Sequence, residues 1–382
     1  MQKTQRGLHI QNHILAWRGL VRAPETGESV AMIENLAAID CDIHPSVPGL
    51  ATLLPYMEPH WAETLTQRGM HELDSISYPN RSPINARDDW RAQSGKPATT
   101  LREVQSQLLD PFGIDTAICN CLYGVQLPFS EDMAAAYARA VNDWIAREWL
   151  DQDPRLRASI VVPIQGAEVA VEEIERCAGD KRFVQILLLV MGETMLGRRH
   201  HWPIYEAAAK HNLTVGIHAG SSYRHPVTPV GWPSYSSEDY VNQSIAFQAQ
   251  LASLIAEGVF KKYPDLKVVM LESGITWLPS FLWRFKKYWR GLTMEIPWVD
   301  RPPEEIVRDH VRFSLQPFDA PDQPEIVERM IDHLGSDELI VFSTDYPHWQ
   351  FDGREVLPKG LSKAQISKIL VDNPKATYPR LA

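Results

Sequence analysis

Short apolar runs of strand length alternate with longer amphipathic segments over most of this chain, and the alternation becomes regular from residue 114 onward. The apolar runs predict strands at 36–43, 114–120, 157–163, 183–189, 213–218, 266–271, 311–315 and 339–343. The segments between them predict helices at 130–150, 167–177, 202–211, 243–258, 276–290, 324–334 and 362–371. Boundary residues agree with that division. Ser130 precedes Glu131 and Asp132, acids that suit the positive end of a helix dipole. Pro203 stands in a first turn, Gly258 closes a helix and Ser362 is placed to cap one. Strands that are apolar on both faces and alternate with helices form parallel βαβ units. Eight of them predict an α/β fold of the closed (β/α)8 TIM-barrel class. An open doubly wound sheet is the alternative. Its nucleotide-binding form is disfavoured, because no strand is followed by a GxGxxG or Walker loop.

Two stretches break the rhythm. Residues 45–101 show no clear period and are rich in Pro, Arg, Asp and aromatics. Such a long excursion inside a compact protein is usually functional or carries small elements of its own, and its position puts it over the end of the first strand. Residues 1–35 form an N-terminal arm, basic at its start, with scattered Leu8, Ile10, Ile14, Leu15 and Trp17 but without the continuous apolar core of a secretory signal. The arm is expected to dock on the body or on a neighbouring subunit, and residues 36–382 to form the barrel.

Composition narrows the function. The chain has 382 residues, 44% of them hydrophobic, enough for one large core. A net charge of -10 without a long basic run argues against a nucleic-acid groove or an anionic membrane as partner. No apolar run approaches the roughly 18 residues of a membrane span. The four cysteines, Cys41, Cys119, Cys121 and Cys177, show no CxxC pairing, which fits a reducing, cytoplasmic setting and no disulfide framework. A small-molecule enzyme or binding protein remains.

Barrel chemistry sits at the C-terminal strand ends. The first strand ends on Asp42 and His44, whose i, i+2 spacing sends both side chains to one face. The fifth ends on His218, the sixth on Glu272, and the eighth on Asp345 with His348 just beyond. Each has an ordinary alternative: a satisfied core histidine, a helix-capping acid or a turn aspartate. Six such residues on one end of one barrel favour a shared site, and all six side chains are metal-capable.

These residues carry a resemblance. Ile39-Asp40-Cys41-Asp42-Ile43-His44, Pro203-Ile204-Tyr205-Glu206-Ala207-Ala208, Ile217-His218-Ala219-Gly220 and Phe342-Ser343-Thr344-Asp345-Tyr346-Pro347-His348 resemble the amidohydrolase superfamily. The likeness is to its amidohydrolase-related branch of metal-dependent decarboxylases and lactone or amide hydrolases, and covers nearly all of the chain from Leu36. It implies that His218 and Asp345 are metal ligands, that Asp345 is also a general base, and that His44 is the second histidine of a first-strand HxH. Asp42 replaces the first histidine, and Glu272 stands where the sixth strand commonly offers a histidine. The resulting set of three carboxylates and three imidazoles suits zinc, manganese or iron, as one or two divalent ions. In that reading Asp42, His44, His218 and Asp345 surround one ion, while Glu272 and His348 complete or bridge to a second. Asp345, Glu272 and His348 are the catalytic candidates.

The implied function is hydrolysis or decarboxylation of a small carboxylated or cyclic compound by an oligomeric enzyme. Two alternatives stand beside it: a dinuclear manganese or iron oxygenase, and a non-catalytic barrel that supports a paralogue in a hetero-oligomer. Arg81 and Arg87 in the long excursion are candidates for meeting a substrate carboxylate. The loop at 221–242, with Tyr223, Arg224, His225, Trp232, Tyr235 and Tyr240, is expected to be a lid or a subunit contact. Trp277, Trp283, Phe285 and Trp289 are expected to pack rather than to hold a cofactor, and Cys119 and Cys121 either line the pocket or sit in the core.

Overall fold

The structure is a computed structural model and describes residues 37–73, 82–92, 95–221, 226–321, 323–351 and 356–381. The predicted arm at 1–35 lies outside them, as does Arg81. Eight parallel strands form one sheet in the order β1 to β8: β1 Ile39–Ile43, β2 Thr116–Cys119, β3 Leu156–Val161, β4 Phe183–Met191, β5 Thr214–Ser221, β6 Val268–Leu271, β7 Val311–Ser314 and β8 Ile340–Val341. The sheet closes on itself. Cys41 N donates to Phe342 O at 2.9 Å, Asp345 N to Asp42 O at 3.0 Å and His44 N to Tyr346 O at 2.7 Å, joining β1 to the segment after β8. This is a (β/α)8 TIM barrel.

Continuous apolar strands become strands buried on both faces. Every residue of β1, β6 and β7 is buried, as the helices outside and the packed interior require. The principal helices are α1 Pro59–Gln67, α2 Glu131–Ile145, α3 Ala167–Cys177, α4 Trp202–His211, α5 Ser236–Ala256, α6 Leu278–Leu292, α7 Pro303–His310, α8 Pro324–Leu334 and α9 Lys363–Ser367. α2 shows the local logic. Ser130 Oγ accepts from Met133 N at 3.2 Å, and the helix buries Ala134, Tyr137, Ala138, Val141 and Ile145 at helical spacing. α5 starts seven residues before the predicted 243, because Ser236-Ser237-Glu238-Asp239 begins a helix whose first turns stay exposed at Val241 and Ile245. α7 was not predicted. Its short amphipathic run adjoins β7 directly, so no loop marks where one ends and the other begins.

The excursion after β1 has small elements, among them α1, and lies at the mouth. Ser46 N bonds Ala98 O, Gly124 N bonds Leu73 O and Arg87 N bonds Pro347 O, which ties it to the ends of β1, β2 and β8. Of the aromatic residues around α6, Trp277 is buried and Phe285 and Trp289 pack on the core, whereas Trp283 is exposed, edge-on to His333. The four cysteines are buried free thiols. Among the described residues no helix is long and apolar enough to cross a membrane.

Candidate metal centre

The barrel brings all six predicted donors together. Asp42, His44, His218 and Asp345 form one cluster and Glu272, Asp345 and His348 a second, with the donor atoms of each within 4.8 Å of one another and every residue buried. The strands aim them. β1 presents Asp42 and His44, β5 presents His218, and sharp turns after β6 and β8 present Glu272 and Asp345.

Both first-cluster histidines are held by the nitrogen that faces away from the cluster. His44 Nδ1 donates to Asn120 O at 2.8 Å, and His218 Nδ1 to Ala219 O at 2.6 Å. Each therefore turns Nε2 inward, the arrangement that second-contact partners impose on metal-binding imidazoles. His218 Nε2 lies 3.6 Å from Asp42 Oδ2 and 3.8 Å from Glu272 Oε2. Asp345 Oδ1 accepts from His44 Nε2 at 2.8 Å and from His348 Nδ1 at 2.9 Å. The rings of His44 and His348 stack with centroids 4.6 Å apart.

Charge explains the protonation of these groups. Burial alone would lower the pKa of His44, but the charges of Asp42 and Asp345 raise it to about 9. Burial opposes ionisation of Asp345 as well, and His348 and His44 nevertheless hold it well below the usual carboxylate range. Burial, then Asp345 and Asp42, push Glu272 well above that range. Burial keeps His348 below its ordinary value despite Asp345 beside it.

Four buried atoms in this space have no hydrogen-bond partner: Asp42 Oδ2, His218 Nε2, Glu272 Oε2 and Asp345 Oδ2. An unpaired buried polar atom is costly, and four pointing together mark a place for a cation. Donors about 2.1 Å from one octahedral ion lie roughly 3–4 Å apart, which the 3.6 and 3.8 Å separations match. The residues fit a divalent metal ion.

Other predicted residues stand apart. Arg87 is bound by Asp89 at 2.6 and 2.7 Å and lies over the Trp90 and Phe351 rings, so its guanidinium is already engaged. Cys121 lines a small cavity with Leu122, Gly124, Gln126, Leu127, Leu187 and Leu189. Leu189 pairs with His218 in the sheet and shares a strand face with Gln185, whose side chain lies inside the barrel. One wall of the cavity is thus the strand neighbour of a candidate metal donor. Sequence reasoning missed Asn120, which bonds Asp42 Oδ1 through Nδ2 at 2.7 Å, and Gln350, which donates to Glu272 Oε1 at 2.9 Å. It also missed Asp40, buried under the site, which accepts from Thr344 Oγ1 at 2.6 Å and is raised to about 7 chiefly by burial. For Asp40 and Asn120 the signal available was a polar residue inside an apolar strand run, and Gln350 carried none.

Comparison with known proteins places this geometry. The amidohydrolase family model matches residues 39–380. A gamma-resorcylate decarboxylase of Rhodococcus jostii is 26% identical over 263 residues, 65% of this chain and 77% of the relative. Among solved structures, an amidohydrolase of Mycobacterium avium subsp. paratuberculosis superposes with a TM-score of 0.68 at 22% identity, over 88% of this chain and 98% of its own. A dihydroxybenzoic acid decarboxylase of Polaromonas sp. JS666, solved with manganese and the inhibitor 2-nitroresorcinol, gives 0.61 at 19% identity, over 91% and 98%.

Proposed function

This chain belongs to the amidohydrolase family, and from that membership we propose that it is a metal-dependent carboxy-lyase that decarboxylates a small hydroxylated aromatic acid. The observation that carries the reading is the set of unpartnered buried atoms on Asp42, His218, Glu272 and Asp345, with a hydrogen-bonded Asp345–His348 pair beside it. The gamma-resorcylate decarboxylase relatives supply the substrate class.

One ion suits the site better than two. Asp345 Oδ1 is bonded by His348 and Oδ2 is open, and His44, whose Nε2 donates to Oδ1 here, would give up that proton on holding the ion. Asp42, His44, His218 and Asp345 would hold the ion, with Glu272 at its edge. The mixed carboxylate and imidazole donors favour manganese as readily as zinc. An ion held by these residues would supply Lewis acidity toward substrate oxygens and so would offset negative charge developing on the ring.

The chain's own residues do the rest. The bond between ring carbon and carboxylate breaks, its electron pair stays on the ring carbon, and one proton must arrive there. Asp345 and His348 are the pair placed to hold that proton, because they share it across 2.9 Å in a buried site. The small cavity lined by Cys121, Gln126 and the leucines Leu122, Leu127, Leu187 and Leu189 would give the edge of a flat ring a mostly apolar contact.

The test is manganese-loaded protein in heavy water, offered a panel of 2-hydroxy- and 2,6-dihydroxybenzoates. Release of carbon dioxide with one deuterium at the vacated ring carbon is expected, with no oxygen consumed. Hydrolysis of lactones or amides without carbon dioxide release, or oxygen uptake that needs a reductant, would overturn the proposal. The second result would point to the dinuclear oxygenase.

A further inference from the structure

Beneath the metal centre the barrel interior holds a chain of polar side chains that the proposed reaction does not use. Tyr378 OH donates to Gln185 Oε1 at 3.0 Å. Gln185 Nε2 donates to Ser159 Oγ at 2.8 Å and to Asn120 Oδ1 at 3.1 Å, and Ser159 Oγ donates to the same Asn120 Oδ1. Asn120 Nδ2 then donates to Asp42 Oδ1 at 2.7 Å and to Cys41 O at 3.2 Å. All five side chains, Tyr378, Gln185, Ser159, Asn120 and Asp42, are at most 2% exposed. Room for the chain is built into the fold: a β-carbon on Gly216 would come within 2.5 Å of the Gln185 carboxamide.

The polarity runs one way. A tyrosine hydroxyl at one end and a carboxylate, which only accepts, at the other leave each amide a single favourable orientation. Turning Asn120 over would set its oxygen against Asp42 and its amino group against two donors. With Asn120 fixed, Asp42 Oδ1 is satisfied and Oδ2 is left facing His218. The backbone of the same residue acts on the second first-strand donor, since Asn120 O accepts from His44 Nδ1 and so leaves Nε2 to the cluster. Asn120 N also donates to Ile43 O at 2.7 Å, which locks it to the strand that carries both donors.

We propose that Asn120, its side-chain amide oriented by the Tyr378–Gln185–Ser159 chain, is the positioning residue of the metal centre, selecting which oxygen of Asp42 meets the ion. The inference rests on the metal reading above. Outer partners of metal ligands commonly govern affinity by about 10–100-fold. Asn120→Ala therefore weakens manganese binding by that order, and Tyr378→Phe, which removes only the remote hydroxyl, weakens it several-fold.

The experiment measures manganese affinity by chelator competition on purified full-length protein, together with the electron paramagnetic resonance spectrum of the bound ion. Circular dichroism of the metal-free variants checks folding. A changed spectrum and weaker binding in both variants support the proposal, and Tyr378→Phe alone suffices if Asn120→Ala does not fold. Binding within twofold of wild type and an unchanged spectrum in the folded variants would overturn the positioning role alone. A wild-type protein that binds no manganese would overturn the metal centre and this role with it.

Discussion

Glu272 and Asp345 are both non-glycine residues in the left-handed region, at φ 56° and 57°. Such backbones cost about 1–3 kcal/mol and persist where the surroundings force them. Here they end β6 and β8 and swing two carboxyls into the space that Asp42 already occupies. Without a cation, three carboxyl groups are crowded together away from water. Glu272→Gln keeps the shape and the contact with Gln350 while removing one of them. The variant should raise the unfolding free energy of metal-free protein by about 1 kcal/mol, measured by urea denaturation with chelator present. It should also weaken manganese binding by roughly tenfold. Residue type and strand-end position made the six donors legible in the sequence, whereas their supports were not. Asn120 meets Asp42 across 78 residues, Gln185 meets Asn120 across 65, and Tyr378 meets Gln185 across 193. The only trace was Ser159 and Gln185 standing as polar positions in apolar runs, and closure of the barrel is what gives that trace meaning.

Among the elements, β3 depends on how the chain enters it. The turn from α2 into β3 is held by Asp153, 4% exposed, which accepts from Arg155 Nη2 at 2.7 Å, from Arg155 N at 3.0 Å and from Gln105 Nε2 at 2.9 Å. Arg155 O in turn receives Ala117 N of β2, so the clamp sets the start of the β2–β3 pairing that ends at Cys119 and Ala158, one residue before Asn120 and Ser159. Burial works against ionisation of Asp153, but the bonds from Arg155 and Gln105 lower its pKa to about 2. A carboxyl whose folded pKa is depressed stabilises fully above its unfolded value and loses that contribution as pH falls through the folded one. Asp153→Asn should therefore cost about 1–2 kcal/mol at pH 7, and the gap from wild type should close between pH ~4 and ~2. Denaturation at stepped pH reads this directly. The pattern of apolar runs located the strands within a few residues, because burial on both faces leaves little freedom for polar intrusions. It failed where an element departs from that rule: β8 is only Ile340–Val341, α5 extends two turns into an exposed stretch, and α7 runs straight into β7.

For the molecule as a whole, the proposed metal centre sits across the seam of the barrel. β1 brings Asp42 and His44, and the segment after β8 brings Asp345 and His348, so an ion shared between them joins the first strand to the last. That seam is thinly made. β8 is two residues long, and among the described residues closure rests on three backbone bonds, from Cys41 to Phe342, Asp345 to Asp42 and His44 to Tyr346, and on two bonds from Thr344 to the Asp40 carboxylate. A cation there would add links across the seam, and His218 would tie the same ion to the opposite wall through β5. Binding to the folded state alone stabilises by about 2.7 kcal/mol at a hundredfold excess over Kd. Stripping the metal with chelator should lower the melting temperature by several degrees, with recovery on adding manganese. The loss should also be local. Hydrogen exchange at the amides of His44 and Asp345 should speed up far more than at Ala158 or Val215, whose amides donate to Arg182 O and Lys267 O in strand pairs away from the seam. Uniform acceleration over all strands would mean that the ion stabilises the fold generally rather than closing it at β1 and β8.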